Sequence, residues 1–225
     1  MYMPLGNRRE LYVLTHDVDG FVARKYRTAL APVLWRIRLG LSEDLRRIGD
    51  GRWELEVFRH QVLRREIERA VKDILRFNPK AAVISLDDFL YRPHQTTVVL
   101  SVSRYCAPES SKILGQGPRP GFRSLTSQLR RIPRRKQLII VDVGCFTGDQ
   151  MAFVLEQLKS EGREITAIAV GILTRDALHQ IQRETHAGVF RTHYYNDICE
   201  WIEERDFFPG IGGIVVDNPR LPELQ

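Results

Sequence analysis

In the segment LIIVDVGCFTGDQ, residues 138–150, a buried-strand pattern runs into an acid, a glycine-bounded loop and a helix start. Asp142 stands where the strand pattern ends, so its carboxylate is placed to accept ribose hydroxyls or to hold a metal. Gly144 and Gly148 allow a tight turn and a close backbone approach. Gly144, Cys145, Phe146, Thr147 and Gly148 therefore read as a loop that an anion can enter. The helix that follows turns its unpaired N–H groups and positive dipole end toward the same spot. This chemistry suits a phosphate or a nucleotide. Asp149 bears on it in one of two ways: it caps the helix from outside, or it turns into the loop and repels phosphate. The plainer alternative is a turn with a helix cap, and the strong strand before the loop and strong helix after it favour the ligand site.

The elements around this segment set its context. Residues 138–141 read as a central strand, 149–160 as a helix closed by Gly162, and 165–173 as the next buried strand. A helix over 175–185, a short strand over 188–191, a short helix over 196–204 and a strand-like run at 214–216 follow. Upstream, 11–14 reads as a short strand. Helical spacing over 21–48 places Leu30, Leu34, Ile37 and Leu41 on one face, with Pro32 near a helix start. A second helix is read over 54–77, with Val62, Leu63, Ile67, Val71, Ile74 and Leu75 apolar. Residues 81–85 and 97–102 read as buried strands. The stretch 107–136 holds Gly115, Gly117, Pro118, Pro120 and Gly121, so it reads mostly as loop, with Phe122, Leu125 and Leu129 able to share one short helix. The strand-helix alternation after residue 80 predicts an α/β fold: a mostly parallel sheet with helices on both faces. An N-terminal strand and helical region, 1–79, packs on that 80–225 core.

The 138–150 segment resembles the diphosphate-sugar motif of the type I phosphoribosyltransferases: four apolar residues, two acids, then a loop ending Thr-Gly before a helix. Residues 138–141 match the strand, Asp142 the first acid, and Thr147 and Gly148 the loop end. Val143 replaces the second acid, and Asp149 and Gln150 replace the small residue and Thr that usually follow. The resemblance implies that Asp142 holds the ribose, with Mg2+, and that the loop cradles the 5′-phosphate. It also implies a pyrophosphate loop after the 97–102 strand, made of Ser103, Arg104 and Tyr105. Residues 107–136 would be a mobile lid, and one of the late aromatics Tyr194, Tyr195, Trp201, Phe207 and Phe208 would lie over the base. Trp201 itself reads more simply as helix-face core. The implied activity is transfer of a phosphoribosyl group to a nitrogen base.

The same loop, DVGCFTG, resembles the first motif of the class I methyltransferases that use S-adenosylmethionine, with Phe146 in place of the middle glycine. In that family several strand-helix units follow the motif, and the next strand ends in an acid. Here few strands follow, and the next one reads AIAVGIL with no acid. A non-catalytic nucleotide sensor is the third reading.

Other groupings are weaker. HDVDG at 16–20 resembles the D-x-D-G motif of haloacid-dehalogenase-type phosphatases, but Phe21 replaces the usual Thr, and a turn or cap is the simpler reading. Asp87 and Asp88 lie at a strand end where they could approach the ligand, but a solvated loop is the simpler reading. The three cysteines show no pairing for zinc or disulfides. Cys145 adjoins a helix N-terminus, but Met151 stands where a cysteine phosphatase needs Arg. The six histidines lack metal spacing. Net charge is +6, concentrated in Arg119, Arg123, Arg130, Arg131, Arg134, Arg135 and Lys136 without an acid between them. That run points to a polyanionic partner, a phosphorylated small molecule or nucleic acid, against the plainer reading of a solvated basic loop. No stretch is long and apolar enough to span a membrane, and the N-terminus lacks a signal-peptide core, so a cytoplasmic location is expected. A homo-oligomer is compatible with the sequence.

Overall fold

A computed structural model describes residues 10–16, 31–50, 52–87, 98–106, 113–119, 121–134, 137–204 and 215–216 of the 225-residue chain. Of the acidic cluster after the first strand, Asp17–Gly20 lies outside the described residues, as do Asp88, Phe207 and Phe208.

The central sheet is parallel and takes the order β4-β3-β7-β8-β9, with β3 at Ala82–Ser85, β4 at Val98–Val99, β7 at Leu138–Cys145, β8 at Ile165–Thr174 and β9 at Gly188–Tyr195. β7 is its middle strand, as its unbroken apolar sequence predicts for a strand covered on both faces. On one face, Met151, Val154, Leu155 and Leu158 of α4 (Asp149–Ser160) pack with Ala177 and Ile181 of α5 (Arg175–Glu184) and Leu129 of α3 (Leu125–Leu129). On the other face lie Leu63, Ile67, Val71 and Ile74 of α2 (His60–Phe77), at the three- and four-residue spacing of one helical stripe. Each fully buried aliphatic there contributes about 1.5–3 kcal/mol before entropy. Val62, read as part of this stripe, is instead 45% exposed.

The N-terminal part holds the expected strand and a second one. β1 (Glu10–His16) pairs in parallel with β2 (Trp53–Arg59) through the crossover helix α1 (Ala31–Gly49), whose first turn contains Pro32. On its other side β1 pairs in parallel with β10 (Glu200–Glu203) from the far end of the chain. Residues 54–59, expected in a helix, are thus a strand. Their alternation of Leu55 and Val57 with Glu54 and Glu56 suits a half-buried edge. Residues 200–203, also expected in a helix, are a strand because β1 offers them a partner.

The expected single strand 97–102 breaks at Leu100 and Ser101. Its first part is β4, and its second, β5 (Val102–Cys106), leaves for another sheet, pairing antiparallel with β6 (Ile113–Pro118) and parallel with β11 (Val215–Val216). Within the expected loop 107–136, the described residues include the strand β6 and the short helix α3, and the others lie in neither a helix nor a strand. Gly115 and Gly117 sit within β6, and Phe122 lies outside α3. α4 and Gly162, which takes a left-handed φ of 68° at the helix end, match expectation. No helix among the described residues is long and apolar enough to cross a membrane.

Candidate functional site

The order of the central strands creates a crevice. From β3 the chain moves outward to β4, then returns to the opposite side of β3 to lay down β7, β8 and β9. β3 and β7 therefore flank a topological switch point, and ligands of open α/β sheets bind outside the carboxyl ends of strands at such a point. Pairing on the β3 side ends at Ser85 opposite Val141, whereas β7 continues to Cys145 beside β8. Asp142 is the first β7 residue beyond the end of β3. It lies within the strand, not at its end as the sequence suggested.

A cavity of about 140 Å3 occupies this crevice. Asp142 lines its floor, 8% exposed, and its Oδ1 accepts from the Val143 N–H at 2.8 Å. Gly144, Cys145, Phe146, Thr147 and Gly148 line the same cavity, followed by Gln150 and Met151. Ser103 and Arg104 enter from β5, and Arg119 from the end of β6. The expected site residues thus meet in one place, with two exceptions. Tyr105 turns away, its hydroxyl donating to the Pro118 carbonyl and its ring filling the space beside Gly117. Asp149 is exposed and does not line the cavity, its N–H donating to Thr147 Oγ1 at 3.4 Å.

Two groups for which the sequence favoured a plainer reading complete the wall. Asp87, only 7% exposed, follows β3 and faces the cavity instead of solvent. Its place is fixed by the Ser85 hydroxyl, which donates to the Asp87 carbonyl at 2.6 Å, and by the Leu86 N–H on the Val141 carbonyl at 2.9 Å. The second group is Trp201, with Glu200 and Glu203, all from β10. The Trp201 indole N–H reaches Thr15 Oγ1 at 3.4 Å. Its ring fills the place a side chain at Gly144 would take: a Cβ there would lie 1.5 Å from Trp201 Cη2. Gly144 is therefore a strand residue made small for Trp201. The true loop is Phe146–Thr147–Gly148, and only Gly148, at φ 88°, needs a left-handed backbone.

That loop is held from behind. The Thr174 hydroxyl donates to the Phe146 carbonyl and accepts the Ala177 N–H at 3.1 Å, capping α5 with the same oxygen. The N-cap of α4, Gly148, offers no side chain, and the Thr147 hydroxyl accepts only the first N–H of the helix, that of Asp149. First-turn N–H groups without an intrahelical partner favour an anion there. The basic wall has its own brace. Buried Gln128 accepts the Ser101 N–H at 2.8 Å and donates to the Ser101 and Arg123 carbonyls at 3.3 and 2.8 Å. This ties α3 to the root of β5, which carries Ser103 and Arg104.

The residues around the cavity carry both signs of charge, with the acids Asp87, Asp142, Glu200 and Glu203 and the bases Arg104 and Arg119. Burial pushes the Cys145 thiol well up, and the Asp142 and Asp149 carboxylates push the same way. It therefore stays protonated and does not serve as a nucleophile. Among the described residues no three His, Cys, Asp or Glu side chains converge as a ready-made metal site. No protein-family model matches the chain, and no curated protein matches it.

Proposed function

We propose that the cavity binds a phosphoribosyl ligand, a phosphoribosyl diphosphate or a nucleoside monophosphate, and that the protein is a phosphoribosyltransferase-like nucleotide-binding protein. One observation carries this reading: an acid, a helix N-terminus that opens at a glycine and two arginines line one cavity at a switch point of a parallel sheet. In this reading the 5′-phosphate sits on Phe146–Gly148 and the start of α4, where N–H groups and the helix dipole add. Asp142 accepts the ribose hydroxyls. Arg104, with Arg119 beside it, holds a pyrophosphate as charge-assisted donors.

About 140 Å3 is many times the ~10–15 Å3 that holds one water, so the cavity has room for a ligand of several heavy atoms. A base attached to the sugar would extend past Trp201. Turnover would break the bond from the anomeric carbon to pyrophosphate oxygen, the pyrophosphate leaving with the electron pair. A nitrogen lone pair would form the new bond, and the nitrogen's proton would pass to solvent. The chain's part is to fix the sugar and stabilise the leaving group by preorganised charge. Asp87 and Asp142 are hard oxygen donors of the kind that, with substrate phosphates, hold Mg2+. When bound, that ion would neutralise pyrophosphate charge.

A thermal-shift screen tests the assignment. Phosphoribosyl diphosphate with Mg2+, and nucleoside monophosphates, are expected to raise the melting temperature. Pyrophosphate release with a nitrogen base would establish transfer, whereas binding without release would make the protein a nucleotide sensor. Stabilisation by S-adenosylmethionine alone would replace this reading with a methyltransferase.

A further inference from the structure

The segment 119–134 runs from the cavity to the opposite end of the central sheet. At its start Arg119 lines the cavity and its N–H donates to the Ser101 carbonyl at 3.0 Å. Leu129 and Ile132 anchor it in the core. At its far end the Ile132 carbonyl accepts Arg163 Nη2 at 3.2 Å, just ahead of the first residue of β8. Along this path Arg123, Arg130, Arg131 and Arg134 are exposed. None of them forms an ion pair among the described residues. Arg163 beneath them is 7% exposed, and its Nε and Nη1 lack any partner. Between Arg119 and Arg123 stands Phe122, 49% exposed and the one large exposed hydrophobic side chain among the described residues of the segment.

We infer that this ridge binds the phosphodiester backbone of a single-stranded nucleic acid, with Phe122 stacking on a base. The inference rests on the ridge alone and does not require the cavity reading. Guanidinium forks match phosphate oxygens, and every described charged residue along the path is Arg. An aromatic face set among such cations is the sequence-tolerant way of holding an unpaired strand. A membrane surface would call for several apolar residues on one face, and here there is one. Among the described residues the buried Arg163 charge meets no carboxylate, and phosphates bound along the ridge would supply the opposite sign.

The test is fluorescence anisotropy of the full chain with a labelled single-stranded RNA of about 16 nucleotides, a length that spans known single-strand sites. With four exposed arginines engaged, the logarithm of affinity is expected to fall against the logarithm of salt with a slope near about −3. Arg130→Ala with Arg131→Ala should reduce that slope by about 1.4. Phe122→Ala should weaken binding about fivefold or more and leave the slope unchanged. The arginine variant should keep nucleoside monophosphate binding, and Asp142→Ala should keep RNA binding, so the two readings can fail separately. Absence of RNA binding, a slope indifferent to the arginine pair, or equal competition by polyglutamate would overturn the proposal.

Discussion

At Gly144 the absent side chain is the space in which the Trp201 ring sits. Gly144→Ala must push that ring out of the cavity wall, and overpacking of this kind typically costs about 1–3 kcal/mol. A denaturant melt of the variant measures the loss, and an unchanged melt would show that the ring yields freely. Cys145 offers a second residue-scale check. Its thiol is buried and held protonated, whereas Cys199 is exposed. Iodoacetamide on the native protein at neutral pH should label Cys199 and leave Cys145 intact by mass spectrometry. Asp142 and the loop were legible in the sequence because acid, glycines and helix start are adjacent in the chain. Trp201 and Asp87 took a plainer reading, because nothing local shows that β10 lies beside β1 or that Asp87 turns inward. That Glu200, Trp201 and Glu203 share a cavity wall depends on the β1–β10 pairing, which joins distant parts of the chain.

β7 and β8 lie side by side in parallel. Val141 and Val143 face the α2 side, yet Cys145 faces the α4 side, so the alternation slips between Val143 and Cys145. β8 slips with it, since Ala169 and Ile172 both face α2. Gly171 permits this, because a Cβ there would lie 2.5 Å from the Val143 carbonyl oxygen and 3.0 Å from Ile67 Cδ1. Gly171→Ala should therefore destabilise the protein by ~2 kcal/mol or more, since the closest obstacle is backbone. A urea midpoint equal to the parent's would contradict it. Helix α4 was readable to its last residue, with apolar spacing and a glycine stop both local. β2 was misread because charged and apolar residues alternate there in a way that also continues into α2. The break between β4 and β5 was invisible for a different reason: its cause, Gln128, lies 27 residues away from Ser101.

At the scale of the described molecule, β1 from the first residues described pairs with β10, about 190 residues later. α1 is fastened to the small sheet by Arg38, whose Nε and Nη2 each donate at 2.7 Å to the fully buried Glu204, with His16 Nδ1 3.8 Å away. Burial alone raises the Glu204 carboxyl, but His16 and Arg38 outweigh it and hold the pKa below its ordinary 4.5. A lowered folded-state pKa means that this stabilisation is present above the ordinary carboxylate range and is lost as pH falls through the folded value. The melting temperature should therefore drop more steeply below about pH 4.5 in the parent than in Glu204→Gln. That variant should itself lose about 3–5 kcal/mol at neutral pH by leaving Arg38 half-paired. Parallel acid profiles for the two proteins would count against the cluster. The parallel sheet with helices on both faces was legible from strand-helix alternation. The second small sheet was not, because it is closed by β10 from beyond the core. The central claim concerns the crevice that this arrangement leaves between β3 and β7, and calorimetric titration with a nucleoside monophosphate tests it most directly. A charge-assisted hydrogen bond contributes ~1.5–3 kcal/mol, so Asp142→Ala should bind about tenfold more weakly or worse. Asp149→Ala should bind as the parent does, since Asp149 is exposed outside the cavity. Parent-like affinity in Asp142→Ala would contradict the placement of the ligand in this crevice.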